Sequence, residues 1–281
     1  MNKIKTIFFG TPEFAATALR TLAANSCFEI IAVVTQPDRP TGRKNIITPP
    51  PVKILAAANH ILVFQPETLD ADFMQKLTAL KPDFFVVAAY AKIIPQSVLD
   101  IARLGTIGTH PSLLPKYRGA SPIQSVILAG EHTTGVSLYL MDAKMDHGPV
   151  LAKEELAIAE NEKYPELEEK LAHCGGRLLA KTIPDFFAGK THPEEQNEAE
   201  ATFTKKFKTE DGFVNEQELA AAVQGKSDPK NIYQKILALN PEPGAWTMQN
   251  DKRLKLLAAN IENGALRLTI TQQEGEKAKK I

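Results

Sequence analysis

Ile4-Lys5-Thr6-Ile7-Phe8-Phe9-Gly10-Thr11-Pro12-Glu13-Phe14 sets an apolar run against a turn and a proline. Six residues dominated by Ile and Phe read as a buried strand, and Pro12 suits the start of a helix, where its missing N–H leaves nothing unbonded. The same switch recurs down the chain. Apolar, β-rich runs at 4–9, 30–35, 61–64, 84–89, 106–110 and 136–141 alternate with segments at 12–24, 52–59, 72–80 and 122–129 that have the length and composition of crossover helices. That alternation predicts βαβ units, hence an α/β fold with a Rossmann-like, open, mostly parallel sheet covered by helices.

Leu167, Leu171, Cys174 and Leu178 are spaced to share one helical face, which predicts a further helix packed on the sheet. After Phe187 the chain turns to a polar, mostly acidic stretch without apolar periodicity, read as a linker. The expected organisation is a catalytic domain over 1–188, a linker over 189–204 and a small carboxyl-terminal domain over 205–281. In the last of these, a helix at 231–239, a turn at Pro243 and Gly244, and strands at 254–257 and 266–271 predict a mixed or β unit.

A length of 281 residues suits two domains. With 43% hydrophobic and 23% charged residues the chain has the balance of a globular protein with a substantial core, which excludes overall disorder. Lys plus Arg equals Asp plus Glu at 33 each, so a nucleic-acid partner would have to be held by local patches rather than a global positive field. Cys27 and Cys174 form no CxxC pair and have no clustered His, so neither a disulfide framework nor a zinc site is indicated, and two buried thiols are expected. The first residues lack the apolar stretch of a signal peptide and no run of 18 apolar residues occurs. A cytoplasmic monomer away from membranes is the expectation.

Four segments carry candidate chemistry. The turn after Phe9 has neither GxGxxG nor GKS, which argues against nucleotide binding. The loop Thr35-Gln-Pro-Asp-Arg39-Pro-Thr-Gly-Arg43-Lys44 and the following Pro49-Pro-Pro-Val-Lys53 are too long and basic for a simple connector; they read either as a phosphate grip or as a solvated charged loop. Gly105-Thr-Ile-Gly-Thr-His110-Pro-Ser112-Leu-Leu-Pro-Lys-Tyr-Arg118-Gly119 places His110 at the carboxyl end of a strand, where open α/β sheets bind ligands. Met141-Asp142-Ala-Lys-Met-Asp146-His-Gly148 follows another strand end and brings two carboxylates to that edge, as an acid–base partner for a His or as a plain Asp-Gly turn.

Taken together, GTPEFA, TQPDRPTGR, PPPVK and HPSLLPKYRGASPI through MDAKMDHGP resemble the methionyl-tRNA formyltransferase family, in order and over nearly the whole chain. The wider folate formyltransferases, including glycinamide ribonucleotide and sugar-nucleotide enzymes, share the His-x-SLLP and Asp-x-Gly elements, and QPDRP with PVK points to the tRNA branch. The resemblance implies 10-formyltetrahydrofolate as co-substrate, no metal, and initiator methionyl-tRNA as acceptor in translation initiation. It implies catalytic roles for His110 and Asp146, with Gly108 at a third catalytic position. It implies a folate crevice edged by Val86, Tyr90, Ile93, Ile94, Pro95 and Asp142, floored by Ser112, Leu113, Leu114 and Pro115, with Arg39, Arg43 and Lys44 toward the tRNA.

Two departures accompany the resemblance. The family carries Asn where this chain has Gly108, and loss of one oxyanion donor typically costs about 100- to 1,000-fold in rate unless Thr106, Thr109 or a water substitutes. The carboxyl-terminal tail is shorter than the family's, so a shortened, β-barrel-like domain of reduced OB type is expected. An amino-sugar nucleotide acceptor, or a weakly catalytic folate-binding homologue, are the alternative readings.

Overall fold

A computed structural model describes residues 3–42 and 45–281. Its strands are β1 (Ile4–Gly10), β2 (Phe28–Val34), β3 (Arg39–Thr41), β4 (Ile46–Thr48), β5 (Val63–Phe64), β6 (Phe84–Ala88), β7 (Thr106–His110), β8 (Arg118–Gly119), β9 (Thr133–Leu140), β10 (Val150–Ala157), β11 (Phe203–Thr204), β12 (Trp246–Gln249), β13 (Lys252–Glu262), β14 (Ala265–Gln273) and β15 (Lys279–Lys280). Its helices are α1 (Glu13–Ala23), α2 (Pro51–Ala58), α3 (Ala71–Ala79), α4 (Gln96–Leu99), α5 (Pro122–Ala129), α6 (Tyr164–Phe187), α7 (Glu216–Val223) and α8 (Lys230–Leu239). The chain forms two compact units. The first takes the chain up to Arg118, Gly135–Leu156 and Glu168–Thr202; the second takes Gly119–Thr134, Ala157–Leu167 and Phe203–Ile281.

The larger unit is built on a seven-stranded sheet in the order β10-β9-β7-β6-β1-β2-β5. β1, β2, β5, β6 and β7 run parallel, while β7 and β9 pair antiparallel. The chain lays β2 and β5 to one side of β1 and then crosses back to β6 and β7. This sets a topological switch between β1 and β6, and ligands of open α/β sheets bind beyond the carboxyl ends of the strands at such a point. Burial on both faces explains the unbroken apolar runs: Ile7, Phe8 and Phe9 of β1 and Phe84, Phe85 and Val86 of β6 are all at 0% exposure. Phe9 packs on Phe85 at 5.0 Å between centroids and meets Tyr90 edge-on at 5.4 Å. Leu167, Leu171, Cys174 and Leu178 are all buried, as their spacing predicts, and Gly175 of the same helix lies against Thr109 and Val136 of the sheet.

In the smaller unit β12, β13, β14 and β15 form an antiparallel meander, where the sequence predicts a shortened barrel. Four strands fall one short of an OB barrel. The indole N–H of Trp246 donates to Thr209 O at 2.8 Å, and the Arg253 guanidinium lies 4.1 Å from the indole centroid.

Three local expectations change. The helix at 122–129 is not a parallel crossover, because β9 runs antiparallel to β7; α5 instead belongs to the smaller unit with α8. The polar stretch 189–204 does more than connect, since Glu194 pairs in both directions with Val150 and so extends the β10 edge. Of the two thiols only Cys174 is buried; Cys27 is exposed, in the polar turn between α1 and β2, where its N–H donates to Asn25 Oδ1 at 2.9 Å. Among the described residues no helix is long and apolar enough to cross a membrane.

Burial pushes the Cys174 thiol up to about 12, so it remains a thiol at pH 8, and only thiolates react readily. In the native chain a thiol reagent at pH 8 should therefore modify Cys27 within minutes and leave Cys174 unmodified until denaturant is added. Peptide mass mapping checks this, and equal labelling of both residues would contradict the packing of α6.

Candidate active site

Strand β7 delivers the first group. Alternation puts Thr106, Gly108 and His110 on one face and Ile107 and Thr109 on the other, and all five are buried. His110 closes the strand at the carboxyl edge of the sheet, with its side chain 6% exposed. Its Nε2 lies 2.8 Å from the Tyr117 carbonyl oxygen, which can only accept, so Nε2 carries a hydrogen. The chain that follows is pinned to β9. Ser137 Oγ donates to Ser112 O at 2.7 Å and accepts the Leu114 N–H at 3.0 Å, while Ser112 Oγ donates to Lys116 O at 2.6 Å. Lys153 Nζ adds a bond to Leu114 O. These contacts fix the turn from which His110 projects.

The second group comes from the loop after β9. Gly148 lets that loop fold back on the strand, since a Cβ there would stand 1.8 Å from the Leu140 carbonyl oxygen. Asp146 sits at φ +50°, in the left-handed region that Asp tolerates better than most residues. Its Oδ2 stands 3.6 Å from His110 Nδ1, and its Oδ1 accepts from the Tyr139 hydroxyl at 2.8 Å. The backbone is tied as well: the Gln196 amide donates to Asp146 O at 2.9 Å and to Gly148 O at 2.8 Å.

Gln196 is itself held. Arg118, 1% exposed, donates from Nε and Nη2 to Gln196 Oε1 at 3.1 and 2.8 Å, and from Nη1 and Nη2 to the Glu198 carboxylate at 3.0 and 2.6 Å. A buried guanidinium needs this partnering, because an uncompensated charge there costs several kcal/mol. Hydrogen bonding from Arg118 in turn holds the Glu198 carboxyl below its ordinary value. His147 spans the remaining gap, with Nδ1 2.6 Å from Asp142 Oδ2 and Nε2 3.6 Å from Glu198 Oε1. The segment around 194–200 is thus a strap over the Asp146 loop.

Both nitrogens of His110 face oxygens that accept. The Nδ1 to Asp146 gap is within ion-pair range and longer than a hydrogen bond, so this nitrogen can exchange its partner for a substrate atom. Burial, then the nearby Asp146 carboxylate, push the Tyr139 phenol well above its ordinary range, so its hydroxyl remains a donor. At the switch point Thr11 Oγ1 and Gln36 Nε2 both donate to Tyr90 O, at 3.4 and 3.1 Å, and Ala89 and Ala91 adopt φ of +46° and +64°. Tyr90 Oη is buried without a hydrogen-bond partner among the described residues, and desolvation raises it to about 12.

The structure therefore brings His110 and Asp146 together. Gly108 lies beside them with no room for a side chain, because a Cβ there would be 2.5 Å from Tyr139 Cε1 and 2.8 Å from its Oη. Neither threonine replaces a donor at 108: Thr106 Oγ1 is spent on Leu99 O at 3.0 Å, and Thr109 faces away toward α6. Val86, Tyr90, Ile94, Ser112, Leu114 and Pro115 are buried, Leu113 is half-buried, Ile93 and Pro95 are exposed, and Asp142 is engaged by His147. Arg39 opens the β3–β4 hairpin and reaches Glu67 at 3.4 Å, while Arg43 and Lys44 lie outside the described residues. Lys53, read as a possible phosphate contact, is instead paired with Asp38 at 2.8 Å. Tyr139, Arg118, Gln196 and Glu198 escape the sequence reading. The parity of Tyr139 within its strand was legible; its partner was not.

Comparison with known proteins gives the family. A family model described as formyl transferase matches residues 2–183, and one described as formyl transferase, C-terminal domain, matches 223–278. The methionyl-tRNA formyltransferase of Staphylococcus epidermidis is 40% identical over 265 residues, covering 94% of this chain and 81% of that protein. That of Bacillus subtilis is 41% identical over 254 residues, covering 90% and 77%. Among solved structures, methionyl-tRNA formyltransferase from Clostridium thermocellum superposes with a TM-score of 0.63 at 18% identity, covering 99% of each chain, a likeness of fold. The sequence match over both halves, carried on a sheet that sets an imidazole against a carboxylate at its carboxyl edge, places the chain in the formyl transferase family.

Proposed function

We propose that this enzyme transfers the formyl group of 10-formyltetrahydrofolate to the α-amine of initiator methionyl-tRNA at the start of protein synthesis. The observation that carries the reading is the 3.6 Å approach of His110 Nδ1 and Asp146 Oδ2 beside the switch point of the sheet. Support for the acceptor comes from relatives at 40–41% identity that bear this reaction in their names. Support for a folate comes from fold neighbours solved with tetrahydrofolic acid or 5-N-formyl-THF. The site suits such a ligand in that Ile93 and Met145 carry apolar side chains at 90% and 63% exposure.

The acceptor α-amine has a pKa near 7.7–8.0, so a useful fraction is neutral at pH 7 without a strong base. His110 meets the formyl oxygen from Nδ1 as the amine adds to the formyl carbon and stabilises the oxyanion that develops. The new C–N bond forms to the amine, the bond to the folate nitrogen breaks, and one proton passes from the first nitrogen to the second. Asp146 carries that proton with His110 and keeps the ring oriented. Arg39, Arg43 and Lys44 would meet tRNA phosphates.

Asp146→Asn removes the charge and keeps a residue that tolerates the left-handed backbone. It and His110→Asn should each lower formyl transfer about 100-fold or more with unchanged circular dichroism; turnover near that of the unaltered chain in either variant refutes the assigned roles. Given 10-formyltetrahydrofolate with charged initiator tRNA and an amino-sugar nucleotide together, the enzyme should formylate the tRNA, and exclusive sugar formylation overturns the acceptor. Arg43→Ala should weaken tRNA binding and reduce its salt slope by about one, measured by filter binding across a salt series.

A further inference from the structure

The glycine at 108 and the tyrosine at 139 occupy one volume. They are direct partners across the β7–β9 pairing, so their side chains project from the same face. The Tyr139 ring fills the space into which any side chain at 108 would grow, with Cε1, Cζ and Oη at 2.5, 2.6 and 2.8 Å from a Cβ built there. Its hydroxyl then reaches the carboxylate that faces His110. We propose that Tyr139 is a positioning residue for formyl transfer, holding Asp146 against His110 from the space that Gly108 leaves open.

This deepens the formyl-transfer reading and rests on it. Without a side chain at 108, stabilisation of the developing oxyanion falls to His110, whose orientation depends on where Asp146 stands. Asp146 has two oxygens with two assignments: Oδ2 toward the imidazole and Oδ1 toward the phenol. The phenol has one hydrogen and spends it on Oδ1, so Tyr139 acts through Asp146 and does not itself donate to substrate. Tyr139 is 4% exposed and packed with Leu114 and Val150, which keeps water from taking its place at Oδ1. Any side chain at 108 would push the ring off that bond. An Asn introduced at 108 by itself therefore harms the site instead of supplying a donor, and Gly108 serves as a space-holder in a different but complete arrangement.

Tyr139→Phe keeps the ring and deletes one hydroxyl. The expected result is a kcat lower by about ten- to a hundred-fold, the size of a lost hydrogen bond to a charged group, with KM for both substrates within about twofold and unchanged circular dichroism. A role in packing alone predicts no loss of kcat. Gly108→Ala should lower both kcat and melting temperature, and adding Tyr139→Leu should recover the melting temperature without restoring kcat. That stability cycle is independent of the reaction: additive losses would refute the shared volume. If the unaltered chain transfers formyl and Tyr139→Phe retains full kcat, the positioning role is overturned. If the unaltered chain transfers none, the functional reading falls and the role falls with it, while the stability cycle still reports on the packing.

Discussion

A carboxylate and an imidazole, 15% and 6% exposed, face each other at the edge of a buried sheet, and the rest of the larger unit is arranged around the cost of keeping them there. Desolvating a charge is repaid only if its partners are close and the remaining lone pairs are satisfied. His110 brings one nitrogen to the Tyr117 carbonyl and the other to Asp146; Asp146 brings one oxygen to Tyr139 and the other to His110. Each group is thereby fixed by two contacts, and displacement of one disturbs the other. Preorganisation of this kind stabilises charge that develops beside it without reorganisation.

The supports around the pair are themselves demanding. Asp146 takes a left-handed backbone, Gly148 admits no side chain, and Arg118 is wholly buried. A left-handed backbone at a non-glycine residue costs of order 1–3 kcal/mol and persists where neighbouring contacts over-determine it. The strap at 194–200 provides that over-determination, because Gln196 fastens the Asp146 loop while Arg118 fastens Gln196. The strap and the loop are joined by hydrogen bonds to backbone oxygens, so geometry is set by the chain's path and not by side-chain packing alone.

Much of the sheet is legible in one dimension. Strands at 4–9, 84–89 and 106–110 and helices at 12–24 and 72–80 fall within a residue or two of β1, β6, β7, α1 and α3, because apolar runs and turn residues act locally. The helix at 122–129 is also found, yet its role was misassigned, since whether the following strand runs parallel or antiparallel depends on pairing energies outside the segment. The exposed Cys27 shows the same limit: a thiol's identity favours burial, and the turn that holds it decides otherwise.

The sequence by itself determined the α/β class, the candidacy of His110 and Asp146, and the family to which they point, since periodicity and motif order are properties of the linear chain; that the loop after β9 returns Asp146 to His110, although β9 runs antiparallel to β7, was decided by the fold. Tertiary structure alone decided that Tyr139 fills the space beside Gly108 and that Gln196 grips a loop 50 residues earlier. Inter-strand register and long-range hydrogen bonds choose those neighbours, and neither leaves a periodic trace in the order of the residues.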